Sequence, residues 1–256
     1  MKISIITVCY NSAKTIGCTL RSVRQQTFGE IEYIVIDGGS SDSTLEVLSE
    51  EGPHVSILIS EKDGGIYDAM NKGIEYSTGE IVGFINSDDF YASSDVISKV
   101  ASVFDDPNVD ACYGDLCYVS QVDTSTVVRY WQSSRFNSTD FESGWCPPHP
   151  TFFVRRELYE RYGGFDLSYK IAADFELMVR FLGIYQIRSE YIPDVLVKMR
   201  MGGTTNRSFT NIIKQNKEIL LALNSHGFRS SIFKLIINKF FSRGRQFFFR
   251  PKKVFD

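Results

Sequence analysis

Four apolar runs open the chain: "KISIITV", "IEYIVID", "VSILIS" and "EIVGFI". Each is continuous rather than alternating, the pattern of a strand buried on both faces. Between them the spacing turns helical. Ser12 is placed to cap a helix that puts Ile16, Leu20 and Val23 on one face. A second helix is predicted over 42–50. A third carries Ile66, Ala69, Met70, Gly73 and Ile74 as its buried stripe, and a fourth covers 95–104. This strict alternation predicts an α/β fold, a parallel sheet with helices on both faces.

After about residue 109 the pattern changes. "DACYGDLCYVS" and "STVVRYWQ" read as longer, more exposed strands. A loop, a short strand and a helix follow in "GWCPPHPTFFVRRELYERYGGFD". "AADFELMVRFLG" predicts a helix with Phe175, Met178, Val179 and Leu182 inward, and "YQIRSEYI" and "DVLVKMR" predict two strands. Helices are predicted over 208–223 and 230–242. No repeat or low-complexity linker divides the chain, so residues 1–205 read as one body. Its first half is 1–109 and its mixed-sheet half 110–205; 206–256 form a helical, basic, amphipathic extension.

Charge sharpens this division. The net charge of −3 hides a tail of +7 from Arg229 onward and a body of −10. An acidic body excludes a nucleic-acid binder over the main surface. In the tail, Ile232, Phe233, Ile236, Ile237, Phe240 and Phe241 form one stripe, with Lys234, Asn238 and Lys239 opposite. Such a helix either packs on the core with a basic outer face or lies on anionic lipid; the Phe247-Phe248-Phe249 run favours lipid. At 43% apolar and 14% aromatic the chain can bury a real core. It has five cysteines and no CxxC pair. Met1-Lys2 leads directly into a strand, with no signal peptide. The expectation is a reducing, cytoplasmic protein. No run of about 18 apolar residues exists to span a membrane.

Candidate chemistry gathers at the carboxyl ends of the predicted parallel strands, where open sheets bind ligands. The first ends in Thr7-Val8-Cys9-Tyr10, the second in Asp37-Gly38-Gly39, the third in Asp63-Gly64-Gly65, and the fourth in "NSDD", Asn86 to Asp89. Tyr10 offers a ring to cover a base, Asp37 an acceptor for a base N–H, and Gly65 a helix entrance. Asp88 and Asp89 repel each other unless a cation sits between or beside them, and a divalent cation there would bridge a diphosphate. Singly, each residue also fits a turn, a cap or the core; together, at four successive strand ends, they point to a site. Neither GxGxxG nor GxxxxGK[ST] follows the first strand, which disfavours a dinucleotide or P-loop fold.

"SIITVCYNSAKTIGCTLRSVRQQTF", "YIVIDGGSSDST", "DGGIYDAMNKG", "GEIVGFINSDD" and "AADFELMVRF" together resemble the inverting family 2 glycosyltransferases of GT-A fold, nearest to bacterial enzymes of exopolysaccharide, capsule and O-antigen assembly. The resemblance covers roughly residues 2–200. It implies a Rossmann-like, mixed but mostly parallel sheet, and transfer of a hexose from a nucleoside diphosphate sugar, a UDP-sugar in the first instance, to a glycan or polyprenyl-linked acceptor. It implies that Thr7, Val8, Tyr10, Asp37, Gly65, Asp68 and Asp88 hold the nucleotide sugar, that Asp89 binds Mg²⁺ or Mn²⁺, and that Asp174 is the catalytic base. Ala173 stands where the family has an acid before that base, so acceptor contacts are expected to differ. A Gln/Arg-rich polymerase signature is absent, which favours single addition over processive synthesis. His149, in "WCPPHP", and Arg200, in "KMRMGGTT", are further candidates for acceptor or diphosphate contact. His149 equally fits a structural histidine, and Arg200 a turn. A lipid-linked acceptor suits a tail held peripherally at the inner face of the cell membrane. The rival readings are a nucleotidyltransferase, which would want a basic Gly-rich loop that "TVCYNS" lacks, and a catalytically inactive carbohydrate-binding or scaffold protein.

Overall fold

The computed structural model describes residues 1–202 and 209–248. The first half runs β1 (Ile3–Cys9), α1 (Ile16–Arg24), β2 (Ile31–Asp37), α2 (Thr44–Glu51), β3 (Ile57–Ser60), α3 (Ile66–Tyr76), β4 (Ile81–Phe84), β5 (Phe90–Tyr91) and α4 (Val96–Val103). The second runs β6 (Ala111–Val119), β7 (Val127–Trp131), β8 (Phe153–Arg155), α5 (Arg156–Tyr162), α6 (Ala173–Met178), β9 (Ser189–Arg200), α7 (Phe209–Ser225) and α8 (Ile232–Phe248). A π-helical stretch, Val179–Ile184, continues α6.

The strands form a mixed sheet in the order β3-β2-β1-β4-β8-β6-β9-β5, with β7 paired to β6. β3, β2, β1 and β4 are mutually parallel. β8 enters antiparallel between β4 and β6, and β9 then runs parallel to β6. The pleat sends alternate residues of β1 into two cores. Ile3 and Ile5 meet Leu20 and Val23 of α1 and Val100 of α4. Ile6 and Val8 meet Met70 of α3 and Ile34 and Ile36 of β2. Each such side chain, fully buried, contributes about 1.5–3 kcal/mol. α3 lies close on the sheet because Gly73 has no side chain: a Cβ there would stand 2.4 Å from Ile6 Cγ2.

Several local expectations change. Ser12 is not the cap of α1, which begins at Ile16 with Thr15 before it. The Ser12 carbonyl accepts from Thr15 and Ile16 N–H instead, and its hydroxyl bonds the Ser87 hydroxyl at 2.8 Å. Ile66 is exposed and Tyr67 takes its inward place, because the second half of the chain covers that side of α3. β6 is buried along its whole length rather than exposed, since β8, β7 and β9 flank it. The two strands expected after α6 are one, β9. Pro193, lacking an N–H, falls where the β6–β9 register shifts, opposite Tyr113 to Asp115.

The extension splits into two unlike helices. Ile219, Ala222 and Leu223 of α7 belong to the core beside Phe141 and Phe175. α8 buries Leu235, beside Gly144, and docks through polar groups: Asn238 donates to the Ser143 carbonyl and Lys239 to Asn216 Oδ1. Its apolar stripe faces outward, with Phe233, Phe240 and Phe241 70–75% exposed. Packing of that stripe on the core is therefore overturned. No helix of the described residues is long and apolar enough to cross a membrane. The 205/206 boundary, the end of "KMRMGGTT", Phe249 and the terminal basic cluster lie outside the described residues.

Candidate active site

The parallel strands bring their carboxyl ends to one edge, and a cavity of about 330 Å³ opens there, lined by Tyr10, Gly38, Gly39, Lys62, Asp63 and Gly65. Tyr10 is 63% exposed at its mouth, a ring available for stacking. Gly65, with φ +119°, turns the chain into α3 through a conformation that a side chain would strain. Thr7 and Val8 lie within β1. The Thr7 hydroxyl bonds Tyr33 in the core, so only backbone from these two residues is placed toward the edge. Lys62 and Asp63, which stand at the third strand end beside Gly64-Gly65, were given no role from the sequence, yet both line the cavity.

Asp37 is fully buried. It accepts from the N–H groups of Gly39 and Ser40, the hydroxyls of Ser40 and Ser60, and the Cys9 thiol. Burial alone would push its carboxyl up. The Ser40 and Ser60 bonds outweigh that and hold it below the usual carboxylate range. Burial and the nearby Asp37 in turn push the Cys9 thiol far up. Asp68 accepts the Gly64 N–H at 2.8 Å and pairs with Lys72 at 3.7 Å, which ties the Gly-Gly entrance to α3.

The S-D-D loop separates its two carboxylates sharply. Asp89 is wholly buried; Oδ2 accepts from Asn86 Nδ2 at 2.9 Å and Oδ1 from the Arg200 N–H at 3.2 Å. Thr19 of α1 holds its carbonyl at 2.7 Å. Burial, then the charge of Asp88, push the Asp89 carboxyl well above the usual range. Asp88 is half-buried, and Arg200 Nη1 donates to its carbonyl at 2.7 Å. Arg200, far away in sequence, thus closes on this loop while its guanidinium covers the Phe90 ring at 5.0 Å. In this structure Asp89, the expected metal ligand, is buried and hydrogen-bonded through both oxygens, and Asp88 is the more exposed member of the pair.

Among the described residues no three His, Cys, Asp or Glu side chains group as metal ligands. The Asp88-Asp89 pair still fits an ion of the magnesium type, which typically uses one or two carboxylates and takes its other ligands from substrate phosphates and water.

Asp174 stands in the first turn of α6. Its Oδ1 accepts from the Tyr67 hydroxyl at 3.2 Å and from the Phe175 N–H at 2.9 Å. Tyr67 also donates to the Ile171 carbonyl at 2.9 Å. Burial and then Asp174 push the Tyr67 hydroxyl well above its ordinary value, keeping it a donor. The Tyr67 ring stacks on Phe165, whose ring also stacks on His149 at 5.5 Å. Burial depresses the His149 imidazole, and the charge of Asp174 opposes that. The structure therefore brings Asp174, Tyr67 and His149 together, and separately Asp88, Asp89 and Arg200. Glu176 and Arg180, one helical turn apart, form a largely buried ion pair. Glu176 is 3% exposed and takes two bonds from Arg180 and one from His226, because α7 and the 162–164 turn close over them.

Residues 4–163 match the sequence profile described as Glycosyl transferase family 2, more than half of the chain. The chain belongs to glycosyl transferase family 2. A PGL/p-HBAD biosynthesis glycosyltransferase of Mycobacterium bovis is 29% identical over 208 residues, 79% of this chain and 78% of that one. Among solved structures, a truncated Staphylococcus aureus TarS in complex with UDP-GlcNAc superposes with a TM-score of 0.67 at 18% identity, covering 94% of this chain and 73% of that one. A mannosyltransferase of Pyrobaculum calidifontis in complex with GDP-Man and Mn²⁺ gives 0.66 at 19%, covering 94% and 69%. The chain spans 44% of a longer TarS chain. These likenesses show the fold of a family 2 glycosyltransferase, GT-A, as the motifs led us to expect.

Proposed function

We propose that this glycosyltransferase moves a hexose from a UDP-sugar to a glycan or polyprenyl-linked glycan, with inversion, in surface polysaccharide biosynthesis. The observation that carries the reading is a strand-end cavity faced by Tyr10 and by Gly65, the residue that opens α3, together with the bond from Tyr67 of that helix to a first-turn carboxylate, Asp174. Tyr10 covers the base. Asp37 serves the base through the Gly38-Gly39 turn that it fixes, since its own oxygens are engaged. Asp68 and Gly65 set the helix entrance beside the sugar.

Asp88, the more exposed of the two carboxylates, would hold the Mg²⁺ or Mn²⁺, with Asp89 fixing the loop that presents it through Asn86 and the Arg200 N–H. A bound cation offsets the charge of the departing diphosphate. Arg200 braces the same loop and adds positive charge near it. Asp174 is the general base: with Oδ1 bonded to Tyr67 and Phe175, Oδ2 takes the proton of the acceptor hydroxyl as it attacks the face opposite the leaving group. His149, half-buried and with its imidazole depressed, lines the acceptor side as a stacked wall.

The outward apolar face of α8 supports peripheral association with the inner, cytoplasmic face of the cell membrane, where a lipid-linked acceptor would lie. Purified protein with Mg²⁺ should be titrated with UDP, UDP-GlcNAc and GDP-mannose by calorimetry, and then sedimented with vesicles containing anionic lipid. Metal-dependent UDP binding and sedimentation lost on deleting residues from 229 onward are expected. No metal-dependent nucleotide binding at all would remove the enzyme reading in favour of a scaffold.

A further inference from the structure

The segment leading into Asp174 is held from outside the catalytic motifs. Glu218, on α7, places one carboxylate against three successive backbone amides. Its Oε2 accepts from Lys170 N at 3.1 Å, Ile171 N at 2.8 Å and Ala172 N at 2.9 Å, and its Oε1 from Lys170 N at 3.2 Å. Successive N–H groups converging on an anion make a strong, directional cradle. The next residues are Ala173 and Asp174. On its other side the Ile171 peptide is held by the Tyr67 hydroxyl, which donates to its carbonyl and to Asp174 Oδ1. Ile171 is thus fixed on both sides, by Glu218 at its N–H and by Tyr67 at its carbonyl.

We infer that Glu218 is a positioning residue for the transfer, acting through the 170–172 backbone to set Asp174; the inference rests on Asp174 being the base. It makes α7 part of the active-site frame rather than an appendage. α7 is anchored firmly enough to serve as such a brace. Ile219, Ala222 and Leu223 are buried in the core, and His226 just past its end bonds Glu176 of α6. A carboxylate from α7 also stands close to the place where Ala173 leaves the expected acid of the motif missing. Displacement of a reacting group by about 1 Å can cost a hundredfold in rate.

The test uses the full chain and hydrolysis of UDP-GlcNAc and GDP-mannose, with UDP affinity measured in parallel. Glu218→Ala should lower hydrolysis at least tenfold, leave UDP affinity within twofold, and speed amide hydrogen exchange at 170–172. Glu218→Gln, which keeps an acceptor oxygen, should recover much of the rate. In combination with Asp174→Asn, Glu218→Ala should cost nothing further, because it acts only through Asp174. Losses that multiply in the double variant, or wild-type hydrolysis in Glu218→Ala, overturn the inference. If Glu218→Ala does not fold, Glu218→Asp decides: it keeps the charge but withdraws the oxygens by a methylene, and a full rate there overturns it. Near-normal hydrolysis in Asp174→Asn alone fells the base assignment and this inference with it. A silenced Asp174→Asn beside an unaffected Glu218→Ala fells only the role of Glu218.

Discussion

On one side of the candidate site, at the sheet edge, Asp37, Gly65 and Asp88 sit at or just beyond the ends of their strands; on the other, Asp174 hangs from a six-residue helix braced by residues far away in sequence. The first side is made of local devices. Asp37 is satisfied largely by residues two and three positions later, and Asn86 bonds Asp89 within one turn. The second side depends on Tyr67, Glu218 and His226 reaching in from other elements. A strand edge can be prepared by short-range geometry, whereas holding the proposed base, Asp174, in place takes braces from several directions.

The largest test of this contrast is Asp174→Asn. We expect turnover to fall about 10²–10⁴-fold, the usual share of general-base catalysis, with UDP affinity nearly unchanged. Asn caps helices about as well as Asp, so a normal rate would reduce Asp174 to a first-turn cap. Next in size is the framing of that side. Leu223→Ala, in α7, should cost about 2–5 kcal/mol of stability, while Phe240→Ala, on the outward face of α8, should stay within about 0.5 kcal/mol in buffer. Denaturant melts of both compare the two helices directly, and equal losses would mean that the stripe is covered after all.

On the strand-edge side, Asp88→Ala should weaken Mg²⁺-dependent UDP binding at least tenfold, about 1.4 kcal/mol. Asp89→Asn should weaken it less, through a shifted loop. Calorimetry with and without Mg²⁺ ranks the two, and the opposite ranking would return the cation to Asp89.

The smallest effect concerns Glu32, which ties β1 to the turn before β4 through Ser4 and Thr78. Burial raises its carboxyl, but bonds from the Ser4 hydroxyl and the Thr78 N–H prevail and lower it to about 2. The folded value lies below the unfolded one. Its stabilisation is therefore present above about pH 4.5 and is lost as pH falls toward 2. The melting-temperature gap between wild type and Glu32→Gln should be widest near neutral pH and close in acid; a gap independent of pH would deny the ionic origin.

The strand-edge side was legible in the sequence because its signals are short. Apolar runs ending in Asp-Gly-Gly, Asp-Gly-Gly again and Ser-Asp-Asp mark both the elements and the edge at which they meet. What did not show was which of two adjacent carboxylates is sealed in, since Arg200 is brought onto the loop by β9 pairing with β6 and β5. The motif singled out Asp174 as a candidate but not Tyr67 or Glu218, because nothing local in "GIYDAMNKG" or in "IIKQNKEILLAL" reports a bond to a distant backbone. The stripe of α8 was found and its direction was not, since amphipathic spacing gives a face without saying what meets it.

The parallel pairing of β6 with β9 sets Ala111 beside Ser189 and Val119 beside Arg200, across about 80 residues of chain. During synthesis, β6 therefore emerges well before its partner, by roughly 4–16 s at ordinary elongation rates of about 5–20 residues per second. Through that interval the β1–β4 edge can already assemble, but the loop carrying Asp88 and Asp89 lacks Arg200, and β6 lacks a neighbour along its β9 side. The nascent enzyme thus has its strand edge before its closure, with a buried-type strand exposed in the meantime. Slow, long-range closure of this kind is where mispairing begins, so temperature-sensitive loss of soluble protein is expected to concentrate in variants of β9 rather than in variants of β1 or β2.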